Sequence, residues 1–374
     1  MIVSQAAIVL SLAAFAMPQA AAQAQSAHPK AANFNQLSER AEQARNENRD
    51  DQAIRLYEQG LKLRPEWEQG LWYLGALLYD KERYSEARDV LRRFVSVEPN
   101  TGPGWAMLGL SEFQTREYSR ALDHLRRSTV LGLGDRTEMK NSVFYFVSIL
   151  FSRFEQYDES SDLLFERLAS GQEPSLLVEP AGLAALRMPL LPAEIPPDRR
   201  EMIRMAGEAA IALSATRHDD AEKIFTHILA AYPNEPGVHF FAGAYLMAVR
   251  PQQGIQEMQR ELEISPFHVQ ARTRLAEEYM KEGQFDQALP LADAAVKLDP
   301  NNPSTHLVYG EALVGKQDLA GGIRELETAR DEAPQMLRIR WDLVRAYLAT
   351  GRKDDAKREK DEIEKLSHPG DGPS

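Results

Sequence analysis

A small residue recurs along this chain at a nearly constant interval. The series consists of Ala53, Ala87, Ala121, Ser160, Ala221, Gly254, Ala288, Gly322 and Ala356. Its steps are 34, 34, 39, 61, 33, 34, 34 and 34 residues. A repeat of this length is one supersecondary unit that cannot bury its apolar face alone, so neighbouring units must stack on one another. The period therefore predicts a repeat protein with one continuous core.

The clearest copy of the repeat, Val269 to Asn302, predicts two short helices. Leu275 and Tyr279 lie four residues apart and share a face of the first helix. Gly283 ends that helix, because glycine readily adopts the left-handed conformation that closes helices. Pro300 ends the second helix. Helices this short are marginal in water by themselves, so each copy depends on its neighbours.

The unit resembles the tetratricopeptide repeat. Trp105, Leu108 and Gly109 match the opening W-x-x-L-G of that family, and Tyr79 and Tyr279 lie at or beside its tyrosine position. The resemblance covers most of the chain, from about residue 34 to 366. It implies an all-α fold, a right-handed superhelical solenoid of helix-turn-helix repeats, and a role in binding proteins or peptides.

The spacing of the repeats predicts the domain organisation. The predicted segments are a signal peptide at 1–24, a polar tail at 25–33, an N-terminal arm of about four repeats at 34–170, a proline-rich insertion with a short helix at 171–197, a C-terminal arm of about five repeats plus a capping helix at 198–366, and a disordered tail at 367–374. Within the insertion, Ser175 to Arg187 indicates a helix that Pro180 interrupts. Leu190, Leu191 and Ile195 indicate a segment that is docked and partly buried.

The first residues are typical of an export signal. The apolar stretch from Ala6 to Met17 is too short to span a bilayer comfortably, and two A-x-A patterns between Ala20 and Ala24 fit cleavage. No Lys or Arg precedes the apolar stretch, which leaves an uncleaved anchor or a misassigned start as alternatives. The chain contains no cysteine, so lipoprotein lipidation is excluded. We expect a periplasmic or secreted protein without membrane insertion after removal of the signal.

Charge and side-chain chemistry disfavour several function classes. The formal net charge is −12, and no basic stripe of the kind that binds nucleic acid is present. No two histidines have the spacing of a helical metal pair, and no nucleophile or phosphate-loop motif is found, so we expect no metal, no cofactor and no enzyme activity. His239 and His306 occupy equivalent places in two repeats, where a functional role competes with simple repeat packing.

The remaining candidate site is the concave groove that the family's superhelix forms from its first helices. Register places six apolar side chains there, namely Trp72, Tyr79, Phe113, Tyr145, Phe240 and Met247. Large apolar residues on one exposed face indicate a partner, although each could instead pack between neighbouring helices. The rear of the same face is more charged; the residues that register places there are Thr273, Glu277, Met280, Leu307, Glu311, Trp341 and Arg345.

One specificity known in the family is missing. Members that hold acidic C-termini of chaperones place Asn at a recurring first-helix position. The corresponding residues here are Glu42, Ala76, Leu110, Ile149, Ala210, Ala244, Glu277, Glu311 and Arg345. The leading hypothesis is a non-catalytic scaffold that binds a protein or peptide segment in the groove, in the bacterial cell envelope. The alternatives are a self-assembling structural solenoid and, with less support, a hydrolase built on a helical-repeat frame.

Overall fold

The computed structural model describes residues 29–169 and 174–367. The predicted signal peptide and residues 368–374 of the predicted tail lie outside the described residues. The described ranges contain helices and turns without any β-strand, which confirms the all-α prediction. The first helix begins at Pro29, inside the segment predicted to be a polar tail.

The chain divides into two compact units between Arg217 and His218. The first unit contains α1 (Pro29–Asn46), α2 (Asp50–Leu63), α3 (Glu68–Asp80), α4 (Tyr84–Val97), α5 (Gly102–Gln114), α6 (Tyr118–Leu131), α7 (Thr137–Arg153), α8 (Tyr157–Ala169), α9 (Val178–Ala185) and α10 (Arg200–Ser214), with short 3₁₀ turns at Pro174–Leu177 and Pro192–Glu194.

The second unit contains α11 (His218–Ala231), α12 (Val238–Val249), α13 (Pro251–Ile264), α14 (Val269–Lys281), α15 (Phe285–Leu298), α16 (Pro303–Gly315), α17 (Leu319–Glu332), α18 (Leu337–Ala349) and α19 (Lys353–Ser367). In each regular repeat we call the earlier helix the first helix and the later one the second helix. Pairs such as α5 with α6 and α16 with α17 form the repeats.

Small residues set the crossing of the two helices in a repeat. The alanines of the recurring series are completely buried, as Ala87, Ala121 and Ala288 show. The first helix contributes a glycine opposite a leucine of the second. A Cβ atom on Gly75 would lie 2.6 Å from Leu91 Cδ2, closer than two carbon atoms can approach. The predicted close crossing is confirmed.

One residue in left-handed conformation joins the first helix to the second in most repeats, whereas Arg250 between α12 and α13 has φ −146°. Gly283 has φ 72° and Gly351 has φ 77°, as expected for glycine at a helix end. In the first unit the same turn is made by residues with a side chain, such as Glu82 (φ 59°) and Arg116 (φ 64°). A single backbone conformation thus recurs although the residue type varies.

Within each unit the helix pairs stack so that first helices follow one another. In the first unit, α3 contacts α5 and α5 contacts α7; in the second unit, α12, α14, α16 and α18 contact one another in turn. One apolar cluster runs from Ala41 through Leu91 and Leu125 to Phe151. This arrangement is the stacked, continuous core that a solenoid requires.

The proline-rich insertion belongs to the first unit. The division into two compact units falls after Arg217, beyond the insertion, and α9 of the insertion packs tightly on α10. A Cβ on Gly182 would lie 2.0 Å from the Ile203 carbonyl oxygen, and one on Gly207 would lie 1.9 Å from that of Val178. Leu191 and Ile195 are buried, as predicted.

The interruption expected at Pro180 is wrong. Pro180 lies in the first turn of α9, where the missing N–H has no helical partner to lose.

Candidate functional site

The predicted groove residues of the first unit lie on successive first helices and are half-buried. Trp72 and Tyr79 belong to α3, Phe113 to α5 and Tyr145 to α7. Each keeps part of its side chain accessible to solvent. The structure therefore brings four of the six predicted residues onto neighbouring helices of one unit.

Aromatic ring contacts connect the helices that carry these side chains to their neighbours. The rings of Phe113 and Phe146 lie 4.5 Å apart between centroids, which joins α5 to α7. Phe113 also meets Tyr118 edge-on at 5.5 Å, and Tyr79 meets Tyr84 at 5.2 Å in the same manner. Aromatic pairs at these separations stabilise beyond the area that they bury. The sequence analysis missed Phe146, whose position beside Tyr145 was the available signal.

Tyr145 also has a partner inside the unit. Its hydroxyl donates a hydrogen bond of 2.8 Å to Glu179 Oε1 in α9. Burial and the neighbouring Glu179 carboxylate raise the pKa of the Tyr145 phenol far above its usual value. The hydroxyl is thus neutral at physiological pH and holds the insertion against α7, while the ring borders the aromatic surface.

In the second unit, the predicted groove residue Phe240 is in the core. Phe240 is only 6% exposed, and its ring lies 4.5 Å from that of His268. The prediction is wrong there because the inter-repeat turn that carries His268 covers the ring. Met247 is half-buried and packs against Gly254, where a Cβ atom would lie 2.6 Å from Met247 Cγ. The second unit therefore has no aromatic surface comparable to that of the first at these positions.

The rear of the first-helix face carries charged side chains, as the sequence predicted. Arg338 at the start of α18 donates to Glu277 of α14 at 2.9 Å and to both carboxylate oxygens of Glu311 of α16, at 3.1 and 2.8 Å. Asp342, one turn after Arg338, is buried beside them. The sequence analysis missed Arg338 and Asp342, although both lie at helical spacing from the predicted Trp341 and Arg345.

The two equivalent histidines belong to the packing of the repeats. His306 is 8% exposed; its Nδ1 lies 2.7 Å from Glu325 Oε2 and its Nε2 lies 2.9 Å from the Pro300 carbonyl oxygen. His239 has the same two kinds of partner in Glu257 and Pro233. Each histidine connects a first helix to its second helix and to the preceding proline turn. The packing interpretation of both residues is confirmed.

The described residues show neither a metal cluster nor a membrane span. In 29–169 and 174–367 no three His, Asp or Glu side chains are grouped so that they could hold a metal ion. None of the helices in the described parts of the chain combines the length and apolar character needed to cross a bilayer.

Comparison with known proteins connects the repeats to a family. A profile described as tetratricopeptide repeat matches residues 39–104 and again 273–335. A second profile with the same description matches residues 313–365. The matches fall in both compact units and coincide with the regular helix pairs α1 to α4 and α14 to α19.

Individual relatives are more distant. A general transcriptional corepressor, trfA, of Dictyostelium discoideum is 27% identical over 119 residues, which are 30% of this chain and 8% of that protein. A structure of MamA from Desulfovibrio magneticus RS-1 is 20% identical and covers 45% of this chain and 96% of its own, with a TM-score of 0.42. A crystal structure of MamA is 15% identical and covers 43% and 95%, with a TM-score of 0.40.

The family profiles agree with the structure at the residues that define the repeat. The close glycine–leucine crossing, the left-handed turn and the closing proline recur in the matched stretches of both units. Proteins of this kind bind protein partners through their repeats. The chain contains tetratricopeptide repeats, which the family profiles match at residues 39–104 and 273–365.

Proposed function

We propose that this protein is a non-catalytic scaffold that binds a segment of another protein along the first helices of its first unit. The observation that carries the proposal is the set of half-buried aromatic side chains, Trp72, Tyr79, Phe113, Tyr145 and Phe146, on α3, α5 and α7. Side chains of this type supply much of the energy of protein interfaces, because they bury large apolar area with few rotatable bonds.

The arrangement suits an extended or helical segment laid across the helices. Consecutive first helices are neighbours in the stack, and the ring pair Phe113–Phe146 spans two of them. A ligand that runs across these helices meets an aromatic group at each step, which is the geometry of a peptide bound in a groove. The family's usual role in binding proteins agrees with this proposal.

The proposal is tested by site-specific photo-cross-linking in cells. A benzophenone amino acid replaces Tyr79 on the first helix α3, and in a matched variant it replaces the exposed Asp89 on the second helix α4 of the same repeat. We expect one dominant partner to be cross-linked from position 79 and not from position 89. In the Phe113→Ala background that product should decrease severalfold, while circular dichroism remains that of the folded protein.

The outcomes separate the alternatives. Equal capture from both positions would show that the aromatic face is not the binding surface. Cross-links from position 79 to a second copy of this chain would support the self-assembling solenoid instead. A well-folded protein that yields no specific product from either position would refute the scaffold proposal.

We also propose that the chain is exported and works in the cell envelope or outside the cell. The proposal rests on the apolar stretch from Ala6 to Met17 and the A-x-A patterns that follow it. Mass spectrometry of the N-terminus of the protein from periplasmic and cytoplasmic fractions tests it. A chain that begins near Gln23 in the periplasm or medium is the expected result, and an intact N-terminus in the cytoplasm would contradict it.

A further inference from the structure

A cluster of five charged residues lies on the first-helix face of the second unit. It consists of Glu277, Glu311, Arg338, Asp342 and Arg345, and we call it the carboxylate cluster. Arg338 bridges Glu277 and Glu311 through the three hydrogen bonds described above. Arg345 donates to Asp342 Oδ1. The cluster therefore joins α14, α16 and α18 by side-chain contacts.

One oxygen atom of the cluster has no hydrogen-bond donor. Asp342 is only 6% exposed, and its buried Oδ2 has no hydrogen-bond donor while the neighbouring Glu311 carboxyl is ionised. A buried carboxylate oxygen that lacks a donor costs free energy, because it has lost its hydrogen bonds to water. Native proteins satisfy nearly all such atoms, so an unsatisfied one in a cluster on a binding face indicates a missing donor.

The charges of the cluster do not balance. Glu277, Glu311 and Asp342 contribute three carboxylates, and Arg338 and Arg345 contribute two guanidinium groups, which leaves one excess negative charge. Burial and the charge of Asp342 raise the pKa of the Glu311 carboxyl to about 7. When all three carboxylates are ionised, one additional positive charge would balance the cluster.

We propose that the carboxylate cluster binds the ammonium group of a lysine side chain on the partner protein, with Asp342 and Glu311 as its acceptors. This inference goes beyond the proposed function, because it assigns a separate contact with a partner protein to the second unit. Glu311 keeps part of its side chain accessible, so the ligand reaches the buried Asp342 past Glu311. The exposed side chain of Arg345 can move aside without changing helix α18, while Arg338 stays on Glu311.

The geometry favours lysine over arginine. Arg338 already occupies both oxygens of Glu311 with its planar fork, so a second guanidinium finds no complete carboxylate for bidentate binding. The ammonium group is a compact point donor and needs only single acceptor atoms such as Asp342 Oδ2. Trp341, which is 46% exposed beside Asp342, offers an apolar surface on which the methylene groups of lysine can lie.

The experiment uses the full chain and a display library of random nine-residue peptides. Selection is done on wild-type protein, on Asp342→Asn and on Glu311→Gln. A matched control, Glu263→Gln, removes an exposed carboxylate of the same unit outside the cluster. Thermal unfolding by circular dichroism establishes that each variant is folded, and Glu311→Gln provides a second variant if Asp342→Asn loses stability.

We expect lysine to be enriched at one position of peptides selected on wild type and on the control, and not on the two cluster variants. A recovered peptide is then measured by calorimetry with its lysine replaced by norleucine, which removes only the ammonium group. Loss of a charged hydrogen bond should weaken binding to wild type by roughly tenfold or more. The same replacement of lysine by norleucine should change the affinity for the Asp342→Asn variant by less than about twofold.

A proton is the competing occupant of this site. Peptide binding to wild type should weaken as pH falls from 8 to 6, because protonated Glu311 no longer attracts an ammonium group; Glu311→Gln should remove that dependence. The facing groups Glu277, Arg338, Asp342 and Arg345 are present in both proteins. Peptides that bind without any lysine requirement would overturn the inference and leave the scaffold proposal intact. Failure to select any peptide on wild type would also overturn the inference, while the scaffold proposal is decided by its own cross-linking test.

Discussion

The two units use different side chains to donate a hydrogen bond to the same backbone carbonyl of the repeat. Six residues after the closing proline, a first-helix side chain donates a hydrogen bond to the proline carbonyl oxygen. In the first unit the donor is the indole of Trp105, at 2.8 Å from Pro99. In the second unit the donors include His306, at 2.9 Å from Pro300, and Arg340, at 2.9 and 3.1 Å from Pro334.

The difference extends to the partners of these donors and to the binding faces. The ring of Trp105 lies 4.9 Å from that of His124 in a tilted arrangement, whereas His306 and Arg340 each contact a carboxylate of the second helix. The first-helix face is likewise aromatic in the first unit and charged in the second. The repeat fixes where a backbone oxygen needs a donor, and it leaves the chemistry of that donor open. We expect the two units to respond differently to mutation and to pH.

The largest effect should come from an aromatic core residue of the first unit. Phe94 is 2% exposed and packs on Trp72 at 5.4 Å between ring centroids. Phe94→Ala leaves a cavity and should lower the free energy of unfolding by about 3–5 kcal/mol. Urea denaturation followed by circular dichroism measures the loss. A loss under about 1 kcal/mol would mean that the aromatic core is not what stabilises this unit.

Glu261 occupies the place of Phe94 in a repeat of the second unit and tests the charged counterpart. This carboxylate is completely buried and accepts from the backbone N–H groups of Gly237, at 2.9 Å, and Phe240, at 3.2 Å, at the start of α12. Glu261→Ala removes charged hydrogen bonds from a helix N-terminus and should cost about 1.5–3 kcal/mol.

The control for this prediction is Glu263→Gln, an exposed carboxylate on the same helix, which should change stability by less than about 0.5 kcal/mol. Equal losses for both variants in urea denaturation would show that the buried carboxylate has no special role.

Much of this architecture could be predicted from the sequence, because the helix crossings and helix ends of the repeat accept only certain residue types. A close helix crossing requires Gly, Ala or Ser at fixed spacing, and the buried Ala87, Ala121 and Ala288 confirm that spacing. The end of the first helix at Gly283 was predictable for the same reason, since φ is 72° there. Both features are local and recur, so one copy predicts the next.

Features that depend on contacts between distant segments could not be predicted. The insertion was placed between two arms, and only the structure shows that Gly182 and Gly207 bring α9 against α10. Phe240 lies on the predicted register, yet the turn that carries His268 covers it. The partnerless Asp342 oxygen is invisible in sequence, since helical spacing places Asp342 near Trp341 without showing which atoms lack donors.

Replacement of the indole donor should have a smaller effect. Trp105→Phe keeps the ring against His124 and removes the N–H that reaches Pro99. The unpaired carbonyl oxygen and the lost ring area should cost about 1–2 kcal/mol. A cost close to zero in urea denaturation would mean that water replaces the donor and that the shared hydrogen bond is not important to this repeat.

The left-handed turns give a pair of opposite substitutions. Gly283 has φ 72°, and a Cβ atom added there would meet no other atom within 4 Å. Gly283→Ala therefore introduces backbone strain alone and should lower the free energy of unfolding by about 1 kcal/mol. Glu82, which makes the same turn with φ 59° in the first unit, should lose that strain in Glu82→Gly. The expected gain is under about 1 kcal/mol, because glycine also increases the entropy of the unfolded chain. Losses of similar size from both substitutions would show that contacts of the Glu82 side chain outweigh the strain.

The two histidines should make the second unit sensitive to pH. Hydrogen bonding to Glu257 raises the pKa of His239 above its usual value, despite burial. Burial opposes the charged form of His306, yet the Pro300 carbonyl and Glu325 still raise its pKa. Both folded pKa values therefore exceed the unfolded value of about 6.5. The stabilisation is complete below that value and is lost as pH rises through the folded pKa values.

The measurement is urea denaturation of wild type and of the double variant His239→Gln, His306→Gln between pH 5.5 and 8.5. Wild type should lose stability as pH rises, and the double variant should lose less. Glu261 and Glu332, which also raise these pKa values, remain in both proteins. The raised pKa of Glu311 acts with the same sign in both, so the difference between the two curves isolates the histidines. Because Trp105 in the equivalent place has no proton to lose in this range, a transition assigned to the first unit should not follow the same curve. If the free energy of unfolding changes with pH in the same way for wild type and the double variant, both histidines are neutral in the folded protein and contribute only by packing.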